Sequence, residues 1–418
     1  MVTMVSRRLV LCLLAWVSAA APLSGDQQVS ERAAAALKSL RKYLAVPRDQ
    51  RPPLLQQSFA TEPLSRDAAR QAAELLWKDH ADFIRRTRQD EMAARKIEVA
   101  RQVLRFDYKI FGKQPPHGRS LFISLHGGGG APKAVNDQQW ENQKGLYRPA
   151  EGVYLAPRAP TNTWNLWHQG HIDPLFDRLI SNLVVFENVD PDRVYLMGYS
   201  AGGDGVYQLA PRMADRWAAA AMMAGHPNEA SPLSLRNIGF ALHMGELDKA
   251  YNRNGVARQW QQRLATLREE DPDGYPHEVR IHKGKGHWMD REDAVAVPWM
   301  AHFRRNVVPE RVVWHQDDVT HVSSYWLAVP PKTAKARALL VGRRDGQQIT
   351  LTSRDVKQVV VRLDDRMVDL DDEVQIEGNG ETVFHGRLSR SIENLAASLA
   401  VRADPELMFS ASVTVKLP

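Results

Sequence analysis

Cysteine is almost absent. The chain of 418 residues has one, Cys12, and it falls inside an N-terminal apolar run. Beyond that run there is no thiol and no disulfide, which excludes a cysteine nucleophile and a thiolate metal site. Long apolar runs are missing too. The N-terminal one, at about 12 residues, is shorter than the ~20 needed to span a bilayer, and no later run reaches that length. There is no Lys/Arg tract and no interleaving of basic and aromatic residues. The 55 basic and 49 acidic residues are interspersed and leave a formal charge of +6. That is a mixed surface without a nucleic-acid footprint. Solenoid-type repeats and low-complexity segments are also absent.

Residues 1–25 have the organisation of a secretory signal. Arg7 and Arg8 supply positive charge, residues 9–17 are apolar, and Ser18-Ala19-Ala20 offers small residues for cleavage after Ala20. The expectation is export to a periplasm or the outside, without a membrane span in the mature chain.

Residues 26–99 are expected to be a helical extension, with helices over 33–43 and 64–96. Pro47, Pro52 and Pro53 separate them, and Ser65 caps the second. Over residues 100–308 strands and helices alternate. Strands are predicted at 103–111, 121–125, 152–156, 193–197, 217–223, 239–244 and 278–282, and helices at 174–186, 202–213, 256–267 and 291–306. Such alternation gives an α/β class fold, a mostly parallel sheet with helices on both faces. Residues 309–418 change character. Short β-type runs at 311–315, 324–329, 338–341, 348–351, 358–363, 374–377, 382–385 and 409–415 surround one helix at 390–399. Asn379-Gly380 between two of them marks a hairpin. This is a mostly β C-terminal module of sandwich type.

The chemistry starts at Gly198-Tyr199-Ser200-Ala201-Gly202, where a strand meets a helix. A serine oxygen that attacks a carbonyl must sit exposed on a tight turn, and flanking glycines permit the close backbone approach. Upstream, His126 and the glycines 127–130 directly follow an apolar strand. Backbone N–H groups there suit the oxyanion of acyl transfer. The donors are Ala201 N–H and that of Gly128 or Gly129. A phosphate loop would need a Lys-Ser/Thr pair that is missing. Asp248 lies just past a strand end and is preferred as the acid over Glu246. His287, between glycines of the loop after the last strand, is preferred as the base over His282 in the strand and His302 on the final helix.

These pieces in this order resemble the α/β-hydrolase family over about residues 100–306. The nearest branch is the exported esterases: feruloyl esterases, acetylxylan esterases and polyhydroxyalkanoate depolymerase-like enzymes. The resemblance implies an exported serine esterase working through an acyl-enzyme, needing no metal and no cofactor. Its substrate would be a small-molecule or polysaccharide-linked ester. The readings that compete are a serine peptidase of prolyl-oligopeptidase type, which shares fold and triad, and an inactive hydrolase-fold binding protein. Trp164, Trp167 and His168, in the loop at 162–173, together with Asp204 and Trp288, are candidate substrate contacts. For the two loop tryptophans, core or lid packing is the competing reading; for Asp204 it is interaction with the helix dipole. His315, Asp317, Asp318 and His321 match no metal-binding spacing and read as a solvated loop.

Overall fold

A computed structural model describes residues 25–418, and their side chains from residue 30 onward. Cys12, Arg7, Arg8 and the expected cleavage site at Ala20 lie outside the described residues. Two helices lead in, α1 (Gly25–Ala45) and α2 (Arg66–Ala94). Ser65 caps α2 by accepting the Ala68 N–H. The helix stops two residues short of its expected end, because Arg95 turns into the left-handed region at φ 51°. The chain then enters a strand that was not expected, β1 (Lys96–Val99).

β1 pairs antiparallel with β2 (Gln102–Phe111). The sheet continues through β3 (Arg119–Leu125), β4 (Gly152–Arg158), β5 (Val189–Tyr199), β6 (Ala219–Met223), β7 (Gly239–Gly245) and β8 (His277–His282). The strand order is β1-β2-β4-β3-β5-β6-β7-β8, and every pairing from β4 to β8 is parallel. A parallel sheet must be covered on both faces, and side chains alternate accordingly. Leu121, Ile123 and Leu196 enter one core with α4 (Ile172–Phe186), α5 (Ala201–Arg212) and α6 (Arg253–Glu270). Phe122, Tyr195 and Met197 enter a second with α7 (Ala296–Met300). This is the α/β-hydrolase fold. One further helix, α3 (Lys133–Gln143), follows the glycine run. The helix expected over 291–306 is reduced to a 3-10 turn at Glu292–Val295 and the five residues of α7.

The C-terminal part holds two sheets. One contains β9 (Arg311–His315), β12 (Leu339–Asp345), β13 (Gln348–Arg354), β15 (Val374–Gly378) and β16 (Glu381–Gly386); the other contains β10 (Ser323–Ser324), β11 (Leu327–Ala328), β14 (Gln358–Leu363) and β17 (Ala411–Lys416). They share one apolar core, as stacked sheets do. The single strand expected at 324–329 is instead the β10–β11 hairpin, broken where Tyr325 takes φ 52°. Asn379 and Gly380, both left-handed, form the two-residue turn between β15 and β16.

α8 (Ile392–Arg402) packs on α1 and α2, so Leu37, Leu40, Leu76, Leu395 and Leu399 share one core across the two ends of the chain. Buried ions join the sandwich to the central sheet. Asp404 receives Arg305 at 2.8 Å and Arg216 at 3.2 Å, and Arg402 meets Asp215 at 2.6 Å. The segment at 315–321 belongs to this seam and is not a solvated loop. His321 contacts Asp173 at 2.7 Å, and Asp317 takes Arg337 at 2.8 Å.

Candidate active site

β5 delivers Ser200 at the sheet's C-terminal edge with φ 58° and ψ −123°, a strained conformation at the start of α5. Two glycines permit it. A Cβ on Gly198 would lie 2.2 Å from Gly202 O, and one on Gly202 would lie 2.1 Å from Leu125 O. Ser200 Oγ is 2.9 Å from His287 Nε2, and His287 Nδ1 is 2.7 Å from Asp248 Oδ2. Asp248 is buried, whereas His287 is exposed and Ser200 partly exposed. The geometry separates the competitors. Glu246 accepts the Gly284 N–H at 2.8 Å, His282 is buried against His243 and Glu292, and His302 caps Trp299 O.

His287 is held from the strand that ends at Ser200. Tyr199 Oη donates to His287 O at 2.6 Å and accepts the Met289 N–H at 3.1 Å. Tyr199 was not singled out from the sequence; its place beside Ser200 is the only signal there.

The glycine run bends behind Ser200. His126 Nε2 accepts the Ala159 N–H at 3.1 Å, so its proton lies on Nδ1, which donates to Gly127 O at 2.6 Å. Burial pushes the His126 imidazole down to about 4, keeping it neutral. Gly129 N–H donates to Asn136 Oδ1 of α3 at 2.9 Å. That occupies one of the two glycine donors expected for an oxyanion. Gly128 N–H and Ala201 N–H make no hydrogen bond among the described residues.

Two clefts meet at Ser200. The first, about 520 Å³, includes Tyr199, His287, Trp288, Arg291, Gln139 and Leu146. The second, about 530 Å³, includes Trp164, Ala201, Asp204, His226, Tyr251 and Arg253. Trp164, Trp288 and Asp204 therefore line the site. Trp167 does not: it is fully buried, donates to His126 O and packs against Gly205. His168 is turned edge-on to Trp164 and lines neither cleft, while its carbonyl accepts Arg212. Burial holds its imidazole at about 4. Asp204 accepts the His226 N–H at 2.6 Å, and burial pushes its carboxyl up to about 6. Tyr251 and Arg253 were not foreseen; they follow Asp248 in a stretch without motif character.

Among the described residues, carboxylates of Glu229, Asp317 and Asp318 approach within 4.8 Å, but Asp317 is already paired with Arg337.

The sequence matches no family model and no curated protein. Solved structures do match. Esterase PE8 is 19% identical, with 46% of this chain and 99% of that chain covered at TM-score 0.32. LpqC, a poly(3-hydroxybutyrate) depolymerase from Bordetella parapertussis, is 15% identical, with 54% and 95% covered at TM-score 0.38. A feruloyl esterase module from Clostridium thermocellum is 14% identical, with 48% and 83% covered at TM-score 0.33.

Proposed function

We propose that this chain is an exported serine hydrolase that cleaves carboxylic esters through an acyl-enzyme. The observation that carries the reading is the continuous proton path from Ser200 Oγ to His287 Nε2 and from His287 Nδ1 to Asp248 Oδ2, at 2.9 and 2.7 Å. His287 takes the Ser200 proton as Oγ adds to the ester carbonyl. Asp248 fixes the tautomer and stabilises the imidazolium. The carbonyl oxygen, now negative, is received by Ala201 N–H and Gly128 N–H. The alcohol leaves with the proton from His287, and water repeats the sequence on the acyl-enzyme. The sugar-linked ester expected from the sequence belongs to the same proposal, supported by the exposed tryptophans Trp164 and Trp288 beside Ser200.

Hydrolysis of p-nitrophenyl acetate tests the reading. Ser200→Ala is expected to abolish turnover, and Asp248→Asn to lower kcat by ~10³–10⁴-fold. Turnover surviving in folded Ser200→Ala would overturn it. Export is tested by N-terminal sequencing of the secreted chain: a start at Ala21 supports cleavage after Ala20, and retention of Met1 opposes it.

A further inference from the structure

The two clefts are chemically distinct, and the proton path tells them apart. His287 must hand its proton to the leaving alcohol, and His287 lines the first cleft only. The alcohol therefore departs on that side. The second cleft, with Ala201 on its wall, holds the acyl group.

Exposed aromatics flank this acyl cleft. Trp164 is 63% exposed and Tyr251 is 78% exposed. Tyr251 and Asn252 are consecutive non-glycine residues in the left-handed region, at φ 54° and 55°. Such backbone costs free energy, and here it presents a tyrosine ring to solvent rather than to a core. Between the aromatics lie polar groups with unused capacity. Asp204 takes the His226 N–H on Oδ1, and no side chain among the described residues hydrogen-bonds its carboxylate. Arg253 Nε is buried without a partner, and its guanidinium packs over the Tyr251 ring at 4.9 Å. His226 Nδ1 faces both the Asn228 N–H at 3.0 Å and the Asn228 Oδ1 at 3.2 Å.

A plain aromatic or alkyl acyl group would cover these donors and acceptors without satisfying them, at ~1–3 kcal/mol each. An anionic acyl group is disfavoured as well. Arg253 already lies 3.7 Å from Asp248 and within the field of Asp204, so the cleft has no surplus positive charge. A saturated ring carrying neutral hydroxyls fits both constraints, because aromatic walls and paired Asp/Arg hydrogen bonding suit its faces and its edges.

Resting on the serine-hydrolase reading, we propose that the acyl cleft takes a sugar acid: the substrate is an ester whose carboxyl belongs to a uronic acid, with Asp204 and Arg253 on its hydroxyls and Tyr251 and Trp164 on its ring. Ser200 Oγ bonds to the C6 carboxyl carbon, and the C–O bond to the alcohol breaks as the alcohol takes the proton from His287. Water then adds to the same carbon and gives its proton to His287, which returns it to Ser200 Oγ as the free uronic acid leaves.

The experiment compares three methyl esters, so that the leaving group is constant: methyl glucuronoside methyl ester, methyl cyclohexanecarboxylate and methyl ferulate. The first is expected to exceed the others in kcat/KM by ~100-fold or more, as two charge-assisted hydrogen bonds imply. Tyr251→Ala and Asp204→Asn are expected to reduce that preference ~10-fold each, a ratio that cancels losses common to all three substrates. Tyr251 is a surface residue, so its removal does not rest on refolding a core. Equal or better hydrolysis of cyclohexanecarboxylate or ferulate overturns the proposal, as does a preference untouched by both variants. Covalent labelling of Ser200 without turnover of the glucuronate ester sinks this inference and leaves the hydrolase reading standing. Absence of labelling sinks both.

Discussion

Replacing Asp404 by alanine should be among the most damaging single changes outside the active site. Its carboxylate lies 97% buried between the guanidiniums of Arg305 and Arg216, each with a side chain 1% exposed. Burial alone would raise its pKa, but the Arg305 and Arg216 charges hold it below the usual carboxylate range. The variant keeps partial partners for both arginines: Asp192 for Arg305 and Asp177 for Arg216. It still leaves two positive charges facing each other without their shared anion. Removing one partner of a buried pair costs ~3–5 kcal/mol, on the order of 10 °C in a domain of this size. Asp404→Asn retains an oxygen for the Glu406 N–H and should fall between alanine and wild type. Because the folded pKa is depressed, this stabilisation is complete above the unfolded value of ~4 and is lost only as pH falls below it. Urea titration at pH 7 and pH 3 measures both effects. A variant within ~0.5 kcal/mol of wild type at pH 7 would refute the idea that this carboxylate neutralises the seam.

Three further outcomes are expected. Asn136→Ala, which frees the Gly129 N–H from its 2.9 Å bond, should loosen the glycine loop proposed to receive the oxyanion and lower kcat ~10-fold or more with little change in KM; an unchanged kcat on p-nitrophenyl acetate opposes this. Gly205→Ala places a Cβ 2.5 Å from that of the buried Trp167 and should cost ~1–3 kcal/mol in urea titration; a neutral result would contradict the core placement of Trp167. Asp204, raised to about 6 by burial, contributes stability that is complete below the unfolded value of ~4 and lost as pH rises through 6. Asp204→Asn should therefore gain on wild type by ~2–3 kcal/mol between pH 4 and pH 8, and a pH-independent difference contradicts it.

The central sheet and the serine turn were legible because their signals are local. An apolar run that ends in glycines fixes where a strand stops and where the backbone must pass closely, as at Leu125 and Gly198. The Asn379-Gly380 turn was legible for the same reason. What escaped was non-local or lacked apolar rhythm. α3 buries mainly Asn136 and Gln143, so its sequence shows no amphipathic stripe. β1 follows α2 through Arg95, a left-handed residue that is not glycine, and no breaker announces the turn. Trp167 and Trp164 are three positions apart in one loop, yet one is buried and the other exposed. Composition cannot separate them; the Gly205 surface that receives Trp167 does. The ion seam joins residues about 100–190 apart, such as Arg305 and Asp404 or Arg216 and Asp404, and no spacing rule reports on such pairs.

The central claim is that Ser200 is an activated nucleophile. A fluorophosphonate probe applied to the folded chain, with peptide mapping, tests it most directly. The account predicts one adduct per chain, on Ser200, absent from Ser200→Ala. A folded protein that stays unlabelled, or that is labelled at another residue while Ser200 remains free, would contradict it.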